Sequence, residues 1–289
     1  MLNHITAASG EPRLRERKLN SRKKIIIYTV AAGIYLAMVM TAGLVMSPEL
    51  YGVNYGDRFI APCLSHPFGT DFMGRDMLWR TVKGLSNSIV IGLAASAVSS
   101  VIALSLGILS ASGGKRADRI INWCVDCCMG IPHLVLLILI SYMMGRGGLG
   151  VAVAVAVTHW PELTRVVRGE VLQVRTAQYV KAAYKMGHSP LKVAKDHIIP
   201  HVLPVYLVGL VLLFPHAIMH EAALTFLGFG FSAGVPAIGG ILSESMEYIV
   251  TGKWWLCLFP GLMLLIAVML FDMIGEKLNQ LFNPGSGNQ

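Results

Sequence analysis

The sequence predicts an all-α polytopic membrane protein with six transmembrane helices and a helix-turn-helix on its cytoplasmic side, and three observations predict it. The 289 residues are 54% hydrophobic and 14% charged, against roughly 45–50% and about 25% in soluble domains. Six stretches carry no Asp, Glu, Lys or Arg: Ile25 to Pro48, Gly84 to Gly114, Cys127 to Gly145, Gly147 to Pro161, His197 to His220 and Trp254 to Phe271. With one or two flanking polar residues, each reaches the roughly 20 residues a helix needs to cross about 30 Å of hydrocarbon. The alternation of a transmembrane barrel is absent, so backbone polar groups must be satisfied inside helices. Lys and Arg give the third observation. With the N-terminus inside, segments 1–24, 112–119, 165–200 and the C-terminal tail hold 7, 3, 7 and 1 of them, and the outer segments hold 6. That asymmetry follows the positive-inside rule and places both termini on the cytoplasmic side of a cell (inner) membrane. It accounts for the net charge of +8 without nucleic acid as a partner.

The elements follow in order. A basic cytoplasmic tail, 1–24, carries Arg13, Arg15, Arg17, Lys18, Arg22, Lys23 and Lys24. The apolar stretch behind it, 25–47, is longer than a signal-peptide core and ends without a small-x-small cleavage pattern, so it reads as a retained first span. An outer segment, 48–85, leads to the second span, 86–111. The short turn Ser112 to Asp118 leads to the third, 120–144, and Arg146 to Gly148 to the fourth, 149–168. A long cytoplasmic loop, 169–202, precedes the fifth span, 203–227. An outer loop, 228–253, precedes the sixth, 254–276. The body of the chain is thus 25–284, with 285–289 a short tail. Five cysteines, Cys63, Cys124, Cys127, Cys128 and Cys257, are odd in number and describe no disulfide framework.

The cytoplasmic loop is the most informative of the long connections, which tend to carry function. Thr176 is expected to N-cap a short helix with Tyr179, Val180, Ala183 and Met186 on one face, and Gly187 to end it in the left-handed conformation. Ser189 and Pro190 suit the N-cap and first position of a second helix, which Pro200 is expected to stop. Lys181, Lys185, Lys192 and Lys195 decorate the pair, while Ala182, Ala183 and Gly187 leave room for another surface. Two roles fit this hairpin: docking to a partner, or lying on anionic lipid.

Its spacing carries a resemblance. Ala182-Ala183, three residues, Gly187, nine residues, His197, one residue and Ile199-Pro200 resembles the EAA loop of ABC importer permeases, E-A-A-x3-G-x9-I-x-L-P. Lys181 stands at the Glu, and His197 and Ile199 at the Ile and Leu. The run Gly69-Thr70-Asp71-Phe72-Met73-Gly74-Arg75-Asp76, followed by Arg80, Gly84, Ser88 and Gly92, is similar to the G-T-D-x-x-G-R-D segment of the dipeptide, oligopeptide and nickel permease group. Ser86 replaces an Arg common there. Glu221 to Gly230, Phe259 to Leu262 and Asn283-Pro284 resemble the same group, with Ile238-Gly239 in place of Trp-Gly and Asn283 in place of Asp.

The resemblance covers roughly residues 65–284 and implies the second type of permease subunit in a binding-protein-dependent importer, nearest to the nickel permeases. Such a subunit forms half of a translocation pathway in the lipid bilayer. Its implied partners are a homologous second permease, two ABC ATPase subunits or domains, and an extracytoplasmic solute-binding protein. Ala182, Ala183, Gly187, Ser189, Pro190 and Pro200 would meet the ATPase. The chain has no G-x4-G-K-[ST] loop. It is therefore expected to be non-catalytic and to bind no cofactor, with ATP used by partner subunits whose closure biases two helix arrangements.

Solute candidates lie on the fifth span. His216 and His220 are four apart and share a face, with Met219 and Glu221 beside them, which suits transient Ni(II) binding. Packing histidines are the alternative. The order H-x3-H-E differs from the H-E-x2-H of zinc proteases, so hydrolysis is not implied. The resembled nickel permeases carry a similar H-x3-H, and Thr158-His159-Trp160 also looks like theirs. Nickel or a nickel chelate is the expected solute, with a di- or oligopeptide as the alternative. A stand-alone channel or secondary transporter is the rival class. Glu221 either lines the pathway or makes a structural hydrogen bond. Asp126 is expected to head the third helix, and Asp272 and Glu276 to snorkel or pair with Lys277. His197 and His201 are assigned to the coupling region. Cys124, Cys127 and Cys128 read as small buried membrane residues rather than a soft-metal station.

Overall fold

The structure, a computed structural model, describes residues 11–232 and 234–282. Its helices are α1 (Glu11–Val45), α2 (Met77–Ser112), α3 (Gly114–Gly130), α4 (His133–Met143), α5 (Gly147–Thr158), α6 (Trp160–Thr176), α7 (Gln178–Lys185), α8 (Pro190–Val193), α9 (Ile199–Phe226), α10 (Ile238–Ile249) and α11 (Trp255–Phe282). A π-helical turn, Ala194–Ile198, joins α8 to α9. Among the described residues the only β-pairing is one isolated bridge, Thr70 to Asp76. Asn283-Pro284 and the tail 285–289 lie outside the described residues.

Helix α2 is the hub and packs on α1, α5, α6 and α9, while α9 packs on α11. Small residues make this possible, because backbones approach closely where side chains are short. Gly84, Ser88, Gly92, Ala95, Ser96, Ser99, Ala103 and Gly107 of α2 are all buried. A Cβ on Gly107 would stand 2.7 Å from Val167 of α6, and one on Gly43 of α1 would stand 2.2 Å from the Cβ of Ser86. The Ser86 hydroxyl donates to the Met40 carbonyl at 2.9 Å across the same contact. A long arginine does not fit that α1–α2 approach, which explains why serine stands at this position. One core joins Leu36, Val39, Leu85, Ile89, Phe214, Ile218 and Ala267, and a second joins Ala103, Leu163, Val167, Val171 and Tyr206. Meanwhile Leu93, Val98 and Val101 of α2 and Leu258, Leu265 and Met269 of α11 are exposed on the outside of the bundle. Hydrocarbon, unlike water, solvates such a surface at no cost.

Among the described residues the helices depart from six simple spans in three places. Three helical stretches, α2, Ala194–Phe226 and α11, are each long and apolar enough to cross a membrane. The expected third span is two helices, α3 and α4, bent by 95°, and a second bent pair joins Thr29–Val45 to Pro48–Asp57 at 98°. Counting each bent pair as one span gives up to five. The expected fourth span is broken at His159 between α5 and α6. Proline is the cause in two of these. Ile131 is extended (φ −92°, ψ 137°) ahead of Pro132, as the residue before proline prefers. Pro161 has no N–H for the Val157 carbonyl, and the Trp160 indole N–H donates to that oxygen instead, at 2.9 Å.

Boundaries move as well. Helix α1 runs back to Glu11, so much of the basic tail is helical. Helix α2 begins at Met77 inside the expected outer segment, because the Asp76 carboxylate accepts from the Leu78 and Trp79 amides at 2.9 and 3.3 Å and caps it. The outer loop 228–253 holds α10, and α6 extends to Thr176.

Candidate functional site

Three places gather the residues singled out in the sequence. The first is the cytoplasmic hairpin. Gly187 has φ +82°. Its N–H donates to Tyr184 O at 3.0 Å and the His188 N–H to Ala183 O at 3.2 Å, the paired bonds of a Schellman stop. Ser189 Oγ accepts from the Lys192 amide at 3.3 Å and opens the second helix with Pro190 at its first position. Val180, Ala183 and Val193 pack with Val174 beneath the pair. Ala182, Lys181, Lys185 and Gly187 are exposed, and nothing lies within 4 Å of where a Gly187 Cβ would be. Three expectations are corrected. Thr176 ends α6 and bonds the Gln173 carbonyl at 2.8 Å, so α7 starts from Ala177 without a side-chain cap. Tyr179 and Met186 are exposed rather than on the packed face. Pro200 does not stop the helix: it sits in the first turn of α9, where no N–H is missed, behind a π-helical turn that widens to admit the ring.

The second place is the outer segment. Asp71 is bonded by Arg75 Nε at 2.6 Å and Arg80 Nη1 at 3.1 Å, while Glu244 of α10 is bonded by Arg75 Nη2 at 3.0 Å and Arg80 Nη2 at 2.6 Å. Thr70 Oγ1 accepts from the Ile60 amide at 2.8 Å and donates to the Asp57 carbonyl. Asp76 also meets His66 Nδ1 at 2.8 Å. Gly69 and Gly74 have φ of +70° and +72°, and a Cβ on Gly74 would stand 1.7 Å from the Asn54 carbonyl oxygen. The G-T-D-x-x-G-R-D residues thus tie the outer segment to α2 and α10. The pairing with Glu244 was not visible in sequence, since it joins positions 164 apart.

The third is a cavity of about 540 Å³ at the two proline breaks, lined by Cys128, Met129, Gly130, Ile131, Pro132, His133, Thr158, His159, Pro161, Glu162, Leu213, His216 and His220. His133 opens α4 and His159 closes α5, so each break aims an imidazole inward. One ring nitrogen from each of His133, His159 and His220 lies within 4.8 Å of the other two. His220 clusters with His133 and His159, while His216 is exposed and lines the same cavity. Met219 is 53% exposed on the outer surface of α9 and does not face the cavity. Glu221 is fully buried, and one of its carboxylate oxygens accepts from Thr225 Oγ1 at 2.8 Å. His133 was missed; a histidine straight after Ile131-Pro132 in an otherwise apolar stretch was its signal.

Two further carboxylates are paired with arginines of α6. Asp126 stands late in α3, not at its head, and meets Arg165 at 2.5 Å. Asp118 takes a bidentate pair from Arg168 at 2.6 and 2.8 Å and a bond from Ser110 at 2.6 Å. These pairs fasten α6 to the α2–α3 corner. Lys277 donates to Gln280 Oε1 at 3.3 Å. The expectation of three buried cysteines is corrected: Cys127 is exposed, and Cys124 and Cys128 are half-buried.

Membrane-length apolar helices with broken segments thus surround a histidine-lined cavity, and a small-residue hairpin stands exposed beside them. Residues 103–286 match the family described as the binding-protein-dependent transport system inner membrane component. The chain is 29% identical over 273 residues to the dipeptide transport system permease protein DppC of Bacillus subtilis (strain 168), covering 94% of this chain and 83% of that one. It is 32% identical over 276 residues to a putative peptide transport system permease protein of Brucella suis biovar 1, covering 94% and 91%. Its fold is also like that of a chain in the inward-facing MetNI methionine ABC transporter, with TM-score 0.57 and 20% identity over 71% of this chain and 97% of that one. The chain belongs to the binding-protein-dependent transport family: it is an inner-membrane permease subunit of an ABC importer, of the group that includes the peptide permeases.

Proposed function

We propose that this subunit forms half of the pathway for a di- or oligopeptide solute, with a homologous second permease forming the other half. Likeness to peptide permeases along more than nine-tenths of the chain carries this reading. Two ATPase subunits or domains supply the energy, and an extracytoplasmic binding protein delivers the solute. The chain holds no nucleotide itself. Both termini lie in the cytoplasm, and the α7–α8 hairpin seats in an ATPase, for which its exposed Ala182 and Gly187 leave room. ATPase closure then favours one of two helix arrangements, because the hairpin binds the two ATPase states unequally. Nickel or a nickel chelate is the second reading of the solute, favoured by the three clustered histidines.

The test is uptake of a labelled dipeptide and of labelled nickel in cells with and without this chain. Dipeptide uptake that disappears on deletion and returns on complementation is expected. Uptake of nickel alone that follows the chain would move the solute to the second reading.

A further inference from the structure

The peptide reading uses none of the chemistry that the proline breaks bring together. His159 Nδ1 lies 3.0 Å from the Val155 carbonyl, which accepts only, so Nδ1 carries the proton and Nε2 carries the lone pair. That Nε2 is buried without a hydrogen-bond partner, and so is Nε2 of His133. His159 itself is only 9% exposed. Orphaned polar atoms in apolar surroundings cost free energy and call for an explanation. The rings of His133, His159 and His220 have centres 4.7, 4.7 and 5.1 Å apart. Imidazoles bound at about 2.1 Å to one tetrahedral ion have ring centres about 5 Å apart. The nitrogens, within 4.8 Å, need modest ring rotation to reach the roughly 3.4 Å between ligands of such an ion. A histidine whose other nitrogen is held by a backbone carbonyl is a typical metal ligand, because that bond fixes the tautomer and aims the lone pair. The cluster comes from α4, the break between α5 and α6, and α9, and its members all line the cavity, where Glu162 is the one carboxylate among the described lining residues.

We propose that His133, His159 and His220 form a binding site for a divalent late first-row transition metal, with its remaining coordination position open to the cavity and filled by a donor of the transported solute. Imidazole nitrogen suits Zn(II), Ni(II) and Cu(II) rather than Mg(II) or Ca(II), which prefer oxygen. The site reconciles a peptide-type permease with a metal-bearing cargo: a peptide or similar chelator leaves positions on its ion that three protein imidazoles take up. The transport consequence rests on the importer reading, whereas metal binding is measured apart from it.

The experiment uses the assembled transporter, purified through a tag without histidine and held in lipid nanodiscs. It is equilibrated with Ni(II), and metal per permease chain and X-ray absorption are recorded. One nickel per chain with three imidazole scatterers is expected, as is a tenfold or greater loss of affinity in His133→Gln and His159→Gln. The wild-type spectrum decides the ligands even where a variant fails to assemble. Adding an unlabelled dipeptide is expected to replace solvent in the open position; a spectrum that does not change overturns the solute-donor role. No stoichiometric nickel, a spectrum without imidazole, or binding lost in His216→Gln but kept in His133→Gln overturns the site. Intact nickel binding in a transporter that imports neither peptide nor nickel overturns the importer reading and leaves the metal site standing.

Discussion

Arg80 is the side chain on which the outer segment depends most. Its guanidinium is 4% exposed and bridges Asp71, 3% exposed, to Glu244 on α10. Removing it leaves two carboxylates to Arg75 alone, a loss below the roughly 3–5 kcal/mol of a buried charge left with no partner at all. Arg80→Met is therefore expected to lower the unfolding temperature of the purified subunit clearly, and adding Asp71→Asn to recover part of the loss. Equal stability of Arg80→Met and the parent would sink this account. Asp71, Arg75 and Asp76 were legible as one short motif, and Gly69 and Gly74 as its turns, because their partners lie within a few residues. Glu244 was not, since charge pairs across a fold depend on how helices pack and leave no local pattern. The histidines divide along the same line. His216 and His220 share a helical face, which periodicity reveals, but the partners of His220 come from the start of α4 and from the break between α5 and α6. The break residues Pro132 and Pro161, which bring them there, were in plain view.

At the scale of elements, the hairpin was read well where local rules act alone. Gly187 takes the left-handed conformation and Ser189 opens the next helix, since both depend on a few backbone bonds. Thr176 and Pro200 were misjudged, because α6 runs through the first and a π-helical turn leads into the second. Packing on α6 and α9 overrides capping preference at both places. Gly187→Pro removes the N–H that bonds Tyr184 and forces φ to about −65°, so the Schellman stop cannot form. The variant is expected to reach the membrane at normal levels yet recover at least tenfold less ATPase in a pull-down from detergent. Gly187→Ala keeps the N–H and meets nothing within 4 Å; only the left-handed backbone opposes it, so a smaller loss is expected. Full ATPase recovery with Gly187→Pro would remove the docking role and return the hairpin to the lipid surface.

For the whole molecule, charge and hydropathy revealed that the chain is membrane-embedded and helical, but not how straight its spans are. Hydropathy averages over a window, so it cannot register a 95° bend between α3 and α4 or the break at His159. Orientation rests on the 18 to 6 partition of Lys and Arg, a statistical bias of insertion, and the structure supplies a probe for it. Cys63 is exposed in the outer segment. Its thiol is held below the usual range first by the hydrogen bond from Ser65, 3.1 Å away, then by the His66 backbone N–H. More of it is thiolate near neutral pH than for an ordinary cysteine, and the thiolate is the reacting form. With the other four cysteines changed to serine, intact cells should react with a membrane-impermeant maleimide at Cys63. Half-maximal labelling should fall at a lower pH than for a free thiol and move upward in Ser65→Ala. A cysteine placed instead at the exposed Met186 of the hairpin should react only after the cells are opened. The two sites lie on opposite sides of the membrane if both termini are cytoplasmic, so labelling of Met186→Cys in intact cells, with Cys63 protected, would invert the topology and take the hairpin out of reach of any cytoplasmic ATPase.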